Sequence, residues 1–240
     1  MVSTASSAPG TALVIGASGG LGTALLDGLR QRGGHRLVRG LSRTSAPPLD
    51  LTDEASIAAA AAAIAGECAA ASAPLRLLLV ASGFLHQGGQ GPERSWSQLD
   101  AAYLRQVFEV NAIGPALLVK HFFPLLAREG AATAAFMSAR VGSIGDNALG
   151  GWYGYRASKA ALNQLVRTAS IELTRRNRQS ICVALHPGTV ATGLSEPFAK
   201  TGLQVRPPEV AAGELLDVVT ALTPPQTGGF LDYRGAPIPW

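Results

Sequence analysis

Short runs rich in leucine and β-branched residues alternate along the chain with longer stretches, many alanine-rich, whose apolar positions recur at helical spacing. The short runs predict strands at 12–15, 36–41, 75–81, 134–138, 181–185 and 230–232. Helices are predicted between them at 21–32, 54–67, 98–109, 112–128, 155–175 and 208–221. The strands read as nearly continuous apolar segments, the signature of strands buried on both faces of a parallel sheet. Strand and helix alternate without an internal repeat or a Pro/Gly/Ser linker, which predicts a single-domain α/β protein with a Rossmann-type, doubly wound sheet and helices on both faces. The domain is expected to span residues 11–240, with 1–10 a frayed tail. Asp53 before the alanine run, and Pro208 with Glu209, read as helix starts. The alanines from Ala59 suit a helix packed closely on a sheet.

Composition narrows the class. Of 240 residues, 47% are hydrophobic and 15% charged, and the mean hydropathy is +0.21, which excludes a disordered chain. The longest apolar runs, 58–65 and 77–81, are far too short to span a bilayer. The opening MVSTASSAPG has no basic region followed by an apolar run, so a cytoplasmic address is expected. Cys68 and Cys182 lack metal-ligand or CxxC spacing, and no disulfide or metal site is expected. The net charge of +4 comes from scattered residues. The nearest cluster, Arg175, Arg176 and Arg178, falls at a predicted helix end, where cations complement the helix dipole, so no nucleic-acid partner is expected.

Three segments carry candidate chemistry. Gly16-Ala17-Ser18-Gly19-Gly20-Leu21-Gly22 follows the first strand and opens directly into a helix. Such a turn lets the backbone approach a pyrophosphate while the helix N-terminus directs free N–H groups at it. Ser42 and Arg43 end the second strand, Ser42 lying twenty residues beyond Gly22, where an acid would favour NAD. A small hydroxyl followed by a guanidinium invites a 2′-phosphate instead, and so NADP(H). In Asp50-Leu51-Thr52-Asp53, Asp53 serves as a helix cap, whereas Asp50 has no local role to explain it. Tyr155 and Lys159 stand four apart on one helix face, where an ammonium can favour the phenolate and bring the tyrosine into range for proton exchange.

With these motifs in hand, the chain resembles the short-chain dehydrogenase/reductase family from Thr11 to the C-terminus. The resemblance implies that Gly16, Ser18, Gly20, Leu21 and Gly22 hold the pyrophosphate, with Asp50 and Leu51 near the adenine and Ala81 and Gly83 along the cofactor. It also implies an active site of Tyr155, Lys159 and Asn111, the last in VNAIGPA. In His186-Pro187-Gly188-Thr189-Val190-Ala191-Thr192, similar to the family's Pro-Gly loop, Val190 and Thr192 would meet the nicotinamide carboxamide. More narrowly, VNAIGPALL, SARVGSIGDN, GGWYGYRASKAALNQL and GGFLDYRGAPIPW are similar to the subgroup of C-factor signalling proteins and sniffer-type carbonyl reductases.

The chain departs from the family twice. Val80-Ala81-Ser82-Gly83 replaces an Asn-Asn-Ala-Gly segment, so bracing asparagine bonds are lost. The catalytic serine position, three before Gly142, is Ala139. Ser138 should point to the opposite face of its strand. Ser143, in a lengthened loop, is favoured to supply the missing donor, with a backbone N–H or a water as other sources. The resulting expectation is NADPH-dependent reduction of a small-molecule carbonyl; the competing class is a nucleotide-binding signalling or sensor protein with little turnover. The 195–206 segment should cover the pocket. A homodimer or homotetramer is expected through helices 112–128 and 155–175, where Leu117, Leu118, Leu162, Leu165 and Val166 exceed what one sheet-facing stripe requires.

Overall fold

In the computed structural model, which describes residues 9–86, 91–195 and 205–240, strand β1 (Thr11–Ile15) is buried along its whole length. Ala12 and Val14 face one apolar layer, and Leu13 and Ile15 face the other. A strand covered on both sides needs helices on both sides, and the chain supplies them. The first layer holds helix α1 (Gly20–Arg32) and helix α6 (Pro208–Ala221), through Leu25, Leu29, Ala212, Leu215 and Leu216. The second holds α2 (Glu54–Ala70), α4 (Gly114–Phe122) and α5 (Tyr153–Arg176), through Ile57, Ile64, Leu118, Phe122, Leu162 and Val166. Asp53 caps α2, its carboxylate accepting from the Ala55 N–H at 2.9 Å.

The remaining strands of the sheet are β2 (Leu37–Leu41), β3 (Leu75–Val80), β4 (Ala132–Met137), β5 (Ser180–His186) and β8 (Phe230–Asp232). All pair in parallel in the order β2-β1-β3-β4-β5-β8. The chain leaves β1 in one direction to form β2 and returns on its other side as β3. The strand order therefore reverses beside β1, which opens a crevice at the carboxyl ends of β1 and β3. A separate parallel pair, β6 (Thr189–Val190) with β7 (Val205–Arg206), lies after β5.

The six expected strands and six expected helices are present, with instructive shifts. Helix α3 (Ala101–Phe108) starts three residues later than 98 because Asp100 caps it, accepting from the Tyr103 N–H at 2.8 Å. Instead of two helices meeting near 110, α3 and α4 are joined by a π-helical turn, Glu109–Ile113. Helix α4 ends at Phe122, well before 128, in a 3₁₀ turn, Phe123–Leu125, carrying Pro124. Arg176 donates to the Phe123 and Pro124 carbonyls at 2.7 Å each, so part of the basic cluster satisfies orphan acceptors of a neighbouring element.

The residues singled out for subunit pairing are corrected by the packing. Leu118, Leu162 and Val166 belong to the sheet-facing core, and only Leu117 and Leu165 are partly exposed. The helices are apolar on a wide arc because they pack on the sheet and on each other.

The closest backbone approach in the site-forming region is at Gly22, where a Cβ would stand 2.0 Å from the Gly16 carbonyl oxygen. Neither group is a flexible side chain, so a methyl there forces the turn and helix apart. Gly22→Ala should lower unfolding stability by about 3 kcal/mol, read as a reduced midpoint in denaturant titration, whereas Gly66→Ala, at a position with open space, should not.

Candidate active site

The glycine turn between β1 and α1 is held from below. Gly16, at φ +86°, and Ala17 both donate to the Leu41 carbonyl, at 2.9 and 3.1 Å, which ties the turn to the end of β2. The Gly19 N–H closes on the Gly16 carbonyl at 3.0 Å. Gly19, the N-cap of α1, is extended, and no side chain caps this helix. Ser18, Gly19 and Gly20 face solvent while Gly22 is buried. The first-turn N–H groups of α1 thus sit beside an open surface with the helix dipole behind them, an arrangement that suits an anion. The residues fit a dinucleotide pyrophosphate.

At the end of β2, Ser42 is buried, its hydroxyl accepting from the Thr44 N–H at 3.2 Å. Arg43 is exposed and forms no ion pair among the described residues. Asp50 does have a local role: its Oδ1 accepts from the Thr52 N–H at 2.9 Å and hydroxyl at 2.8 Å. These bonds, followed by the nearby Arg43 charge, hold its carboxyl below the usual range. The reading of Asp50 as lacking a local partner is corrected accordingly; the carboxylate closes a turn before α2. Leu51 is buried in the core layer.

Across the crevice, Ala81 continues the sheet by donating to the Ile15 carbonyl at 2.8 Å. Gly16 lies so close to this strand end that a Cβ on it would be 2.9 Å from the Ser82 nitrogen. Just beyond this strand end the backbone is held by Asn111 in the π turn. Its Oδ1 accepts from the Phe84 N–H at 2.8 Å, and its Nδ2 donates to the Phe84 carbonyl at 2.8 Å and the Ser158 hydroxyl at 3.1 Å. A π turn inserts one extra residue and re-aims a side chain that ideal helix geometry would misplace. Gly83 is the meeting point: a Cβ on it would be 3.7 Å from Lys159 Nζ, 3.8 Å from Asn111 Oδ1 and 4.0 Å from Leu194 Cδ2.

Tyr155 and Lys159 project from the start of α5 and both are buried. Tyr155 packs in an apolar cluster with Leu85 and Ala139, flanked by Val141, Trp152 and Leu194. The Trp152 ring meets it edge-on, with centroids 6.1 Å apart at 71°. The Lys159 ammonium lies 5.8 Å from the Tyr155 ring centroid and donates to the Met137 carbonyl at 2.9 Å. Burial brings the Lys159 pKa down to about 8. Burial first, and then the neighbouring Tyr103, push the Tyr155 phenol above its ordinary value. The expected lowering of the tyrosine by the lysine is not what governs these shifts: burial acts on both groups, against the charged form of each.

The serines do not converge on this pair. Ser138 points into the fold, donating to Asn163 Oδ1 at 2.6 Å. Ser143 accepts from the Asp146 N–H at 3.1 Å and donates to the Trp240 carbonyl at 3.5 Å. Its bonding is directed at its own turn and at the C-terminal segment, and among the described residues it forms no hydrogen bond with Tyr155 or Lys159. The expectation that it reaches into the site is corrected: the position beside Tyr155 carries the methyl of Ala139.

The Pro-Gly loop spans the two halves. The Pro187 carbonyl accepts from Arg206, which also pairs with Glu214, and lies 3.4 Å over the Tyr233 ring. Gly188 takes φ +73°. Val190 is buried in β6, Thr192 Cγ2 lies 2.9 Å from where a Cβ on Gly20 would be, and Leu194 reaches Tyr155. One segment therefore touches both the glycine turn and the Tyr155 cluster. Of the expected cover, 196–204 lies outside the described residues. Leu85, Trp152 and Leu194 were not singled out from the sequence, because their pattern is that of any core or loop residue. The Gly150-Gly151 doublet before Trp152 was the one local signal, and both glycines take φ +64°.

The short chain dehydrogenase profile matches residues 10–202. The chain belongs to the short-chain dehydrogenase family. Among curated short-chain relatives, it is 37% identical over 142 residues to C-signal of Myxococcus xanthus, covering 59% of this chain and 81% of that protein. It is 31% identical over 239 residues to 1-hydroxy-2-glutathionyl-2-methyl-3-butene dehydrogenase of Rhodococcus sp. (strain AD45), covering 96% and 99%. Among solved structures, the carbonyl reductase Sniffer of D. melanogaster superposes with a TM-score of 0.83 at 24% identity, covering 97% of this chain and 100% of that one. The NADPH-bound carbonyl reductase from chicken fatty liver gives 0.82 at 26% identity, covering 97% and 94%. No helix among the described residues is long and apolar enough to cross a membrane.

Burial at the site also sets a pH response. His186, next to the Pro-Gly loop, has its pKa lowered to about 4 by burial first and then by the Arg140 charge. An unfolded chain binds this proton near 6.5, so between pH 6.5 and 4 the unfolded state takes it up while the folded state does not, and stability falls as pH falls. The loss is about 3 kcal/mol at most. In thermal melts across this window, His186→Gln should flatten the decline relative to the unsubstituted protein; parallel curves would remove His186 as the cause.

Proposed function

We propose that this chain reduces an aldehyde or ketone to the alcohol with NADPH as the hydride source. The observation that carries the reading is the buried Tyr155 phenol with Lys159 Nζ 5.8 Å from its ring, at one end of a crevice whose other end is a helix N-terminus without a side-chain cap. The NADPH bound to the chicken carbonyl reductase, at 26% identity, supports the cofactor.

The first-turn N–H groups of α1, with Ser18, Gly20 and Leu21, would hold the pyrophosphate. Arg43, beside Ser42, would take the 2′-phosphate, and Asp50 and Leu51 would flank the adenine. Val190 and Thr192 would meet the carboxamide, and Lys159 the nicotinamide ribose. When bound, the nicotinamide supplies hydride to the carbonyl carbon. Tyr155 gives its hydroxyl proton to the carbonyl oxygen, and Lys159, protonated below about pH 8, stabilises the phenolate left behind. Leu85, Trp152 and Leu194 keep water from the reacting oxygen. With a methyl at Ala139, Tyr155 is the side-chain donor to that oxygen. Asn111 holds Phe84, and with it the crevice wall.

A second reading, a nucleotide-binding signalling protein with little turnover, is favoured by the missing hydroxyl at Ala139 and by the 37% identity to C-signal. Steady-state NADPH oxidation across aldehydes, ketones and diones separates the two, since the second reading expects none.

Tyr155→Phe should leave NADPH affinity intact and lower turnover by about 10²- to 10⁴-fold, the usual contribution of a general acid. Ala139→Ser should raise turnover by restoring a second donor, while Ser143→Ala should change it little; full activity with phenylalanine at 155 would overturn the mechanism. The cofactor assignment is checked by fluorescence titration. Arg43→Ala should weaken NADPH roughly 10- to 150-fold and leave NADH nearly unchanged, and equal losses for both would remove Arg43 from the 2′-phosphate.

A further inference from the structure

Helix α5 carries both Tyr155 and Lys159, yet it begins in an unusual way. Its N-cap, Trp152, sits in the left-handed region at φ 54° and makes no side-chain cap bond, and the first turn has no acidic residue. An indole offers only a donor, so it cannot accept from the helix N–H groups. Tyr155 is the third residue of this helix. First turns fray when their orphan N–H groups lack acceptors.

The acceptor comes from far upstream. Glu93 is only 3% exposed, although no ion pair reaches it among the described residues. Its carboxylate oxygens accept from the Gly154 N–H at 3.3 and 3.1 Å, and its main-chain carbonyl accepts from the Trp152 N–H at 2.5 Å. The fit is tight on both sides of Trp152. A Cβ on Gly154 would stand 3.1 Å from Glu93 Oε1 and 3.0 Å from Leu104 Cδ2, and one on Gly151 would stand 3.4 Å from the Glu93 carbonyl. Burying an anion without a cation is costly unless N–H groups and a positive dipole compensate it, and the start of α5 provides both. A serine or aspartate at 152 would be a cheaper cap. That position is taken by the indole that packs edge-on against Tyr155.

We propose that Glu93 is a positioning residue for Tyr155: it closes the N-terminus of α5 from outside the helix and fixes the turn from which the tyrosine projects. The catalytic part of this inference rests on Tyr155 being the proton donor.

The test uses Glu93→Ala, Glu93→Gln and Glu93→Asp, each alone and with Tyr155→Phe. Amide hydrogen exchange, which needs no turnover, should be at least about tenfold faster at Gly154 and Arg156 in Glu93→Ala, with the later turns of α5 unchanged. Glu93→Gln, whose amide oxygen still accepts, should remain near the unsubstituted protein. Unchanged exchange in Glu93→Ala overturns the proposal whether or not the protein is a reductase. In steady state, Glu93→Ala should lower kcat about 10- to 100-fold, as a displaced acid does, with carbonyl KM and NADPH Kd within about twofold, and Glu93→Gln should recover most of it. Combined with Tyr155→Phe, the Glu93 substitution should cost less than about a further twofold, whereas an equal proportional loss in both backgrounds overturns the proposal. Absence of turnover in the unsubstituted protein would instead defeat the reductase reading and leave exchange to decide Glu93. If Glu93→Ala does not fold, Glu93→Asp withdraws the oxygens by one methylene and takes its place in both measurements.

Discussion

The central strand β1 has no exposed side, and the rest of the molecule is arranged around that requirement. Leu13 and Ile15 need one helical layer and Ala12 and Val14 another, so the connections after β1 and β2 must pass over opposite faces. With parallel strands and right-handed crossovers, the strand order then reverses next to β1. The reversal leaves the carboxyl ends of β1 and β3 uncovered, and it is there that the glycine turn, Ala81 and Gly83 meet. The same close packing explains the turn itself. With a Gly22 Cβ position 2.0 Å from the Gly16 oxygen, α1 starts as near to β1 as a backbone allows, which brings its N–H groups to the mouth of the crevice.

Burial does chemical work on the other side of that crevice. A phenol and an ammonium placed together in water would each stay near their ordinary pKa values, and the cation would favour phenolate. With Tyr155 packed among Leu85, Ala139, Trp152 and Leu194 and Lys159 buried beside it, burial pushes the phenol up and brings the lysine down to about 8. Desolvation outweighs the mutual attraction because both groups lose water while their separation stays at 5.8 Å from ammonium to ring. The methyl of Ala139 completes an apolar surround, whereas a hydroxyl there would have added a second donor.

Such a site depends on elements that hold it from a distance. Asn111 ties Phe84 to Ser158, which joins the wall after β3 to helix α5. Arg206 links the Pro187 carbonyl to Glu214 on α6, which fastens the Pro-Gly loop to the opposite helical layer. Glu93 closes the start of α5. Asn111 and Glu93 reach partners 27 to 61 positions away, and Asn111, Arg206 and Glu93 each bond a backbone group outside their own element.

The sequence by itself determined the layered α/β architecture, because apolar runs of strand length and alanine-rich helices repeat a local period that burial enforces. The glycine turn opening α1 and the neighbouring Tyr155 and Lys159 on α5 were legible for a similar reason: their spacing is local, within one turn or one helical face. Asp53 as a cap was readable from its neighbours alone. What tertiary structure decided is everything that depends on a partner far along the chain. Ser143 was a reasonable candidate by loop length, yet its hydroxyl bonds Trp240, 97 residues away. Leu118, Leu162 and Val166 looked surplus on their helices, but α4 and α5 bury them jointly with the sheet. The direction in which Tyr155 titrates could not be read from a tyrosine and a lysine four apart, since it depends on how much water Leu85 and Leu194 exclude. Glu93 gave no signal at all, because a glutamate in a loop is ordinarily solvated, whereas this one is buried with its carboxylate on the start of α5, 61 residues away.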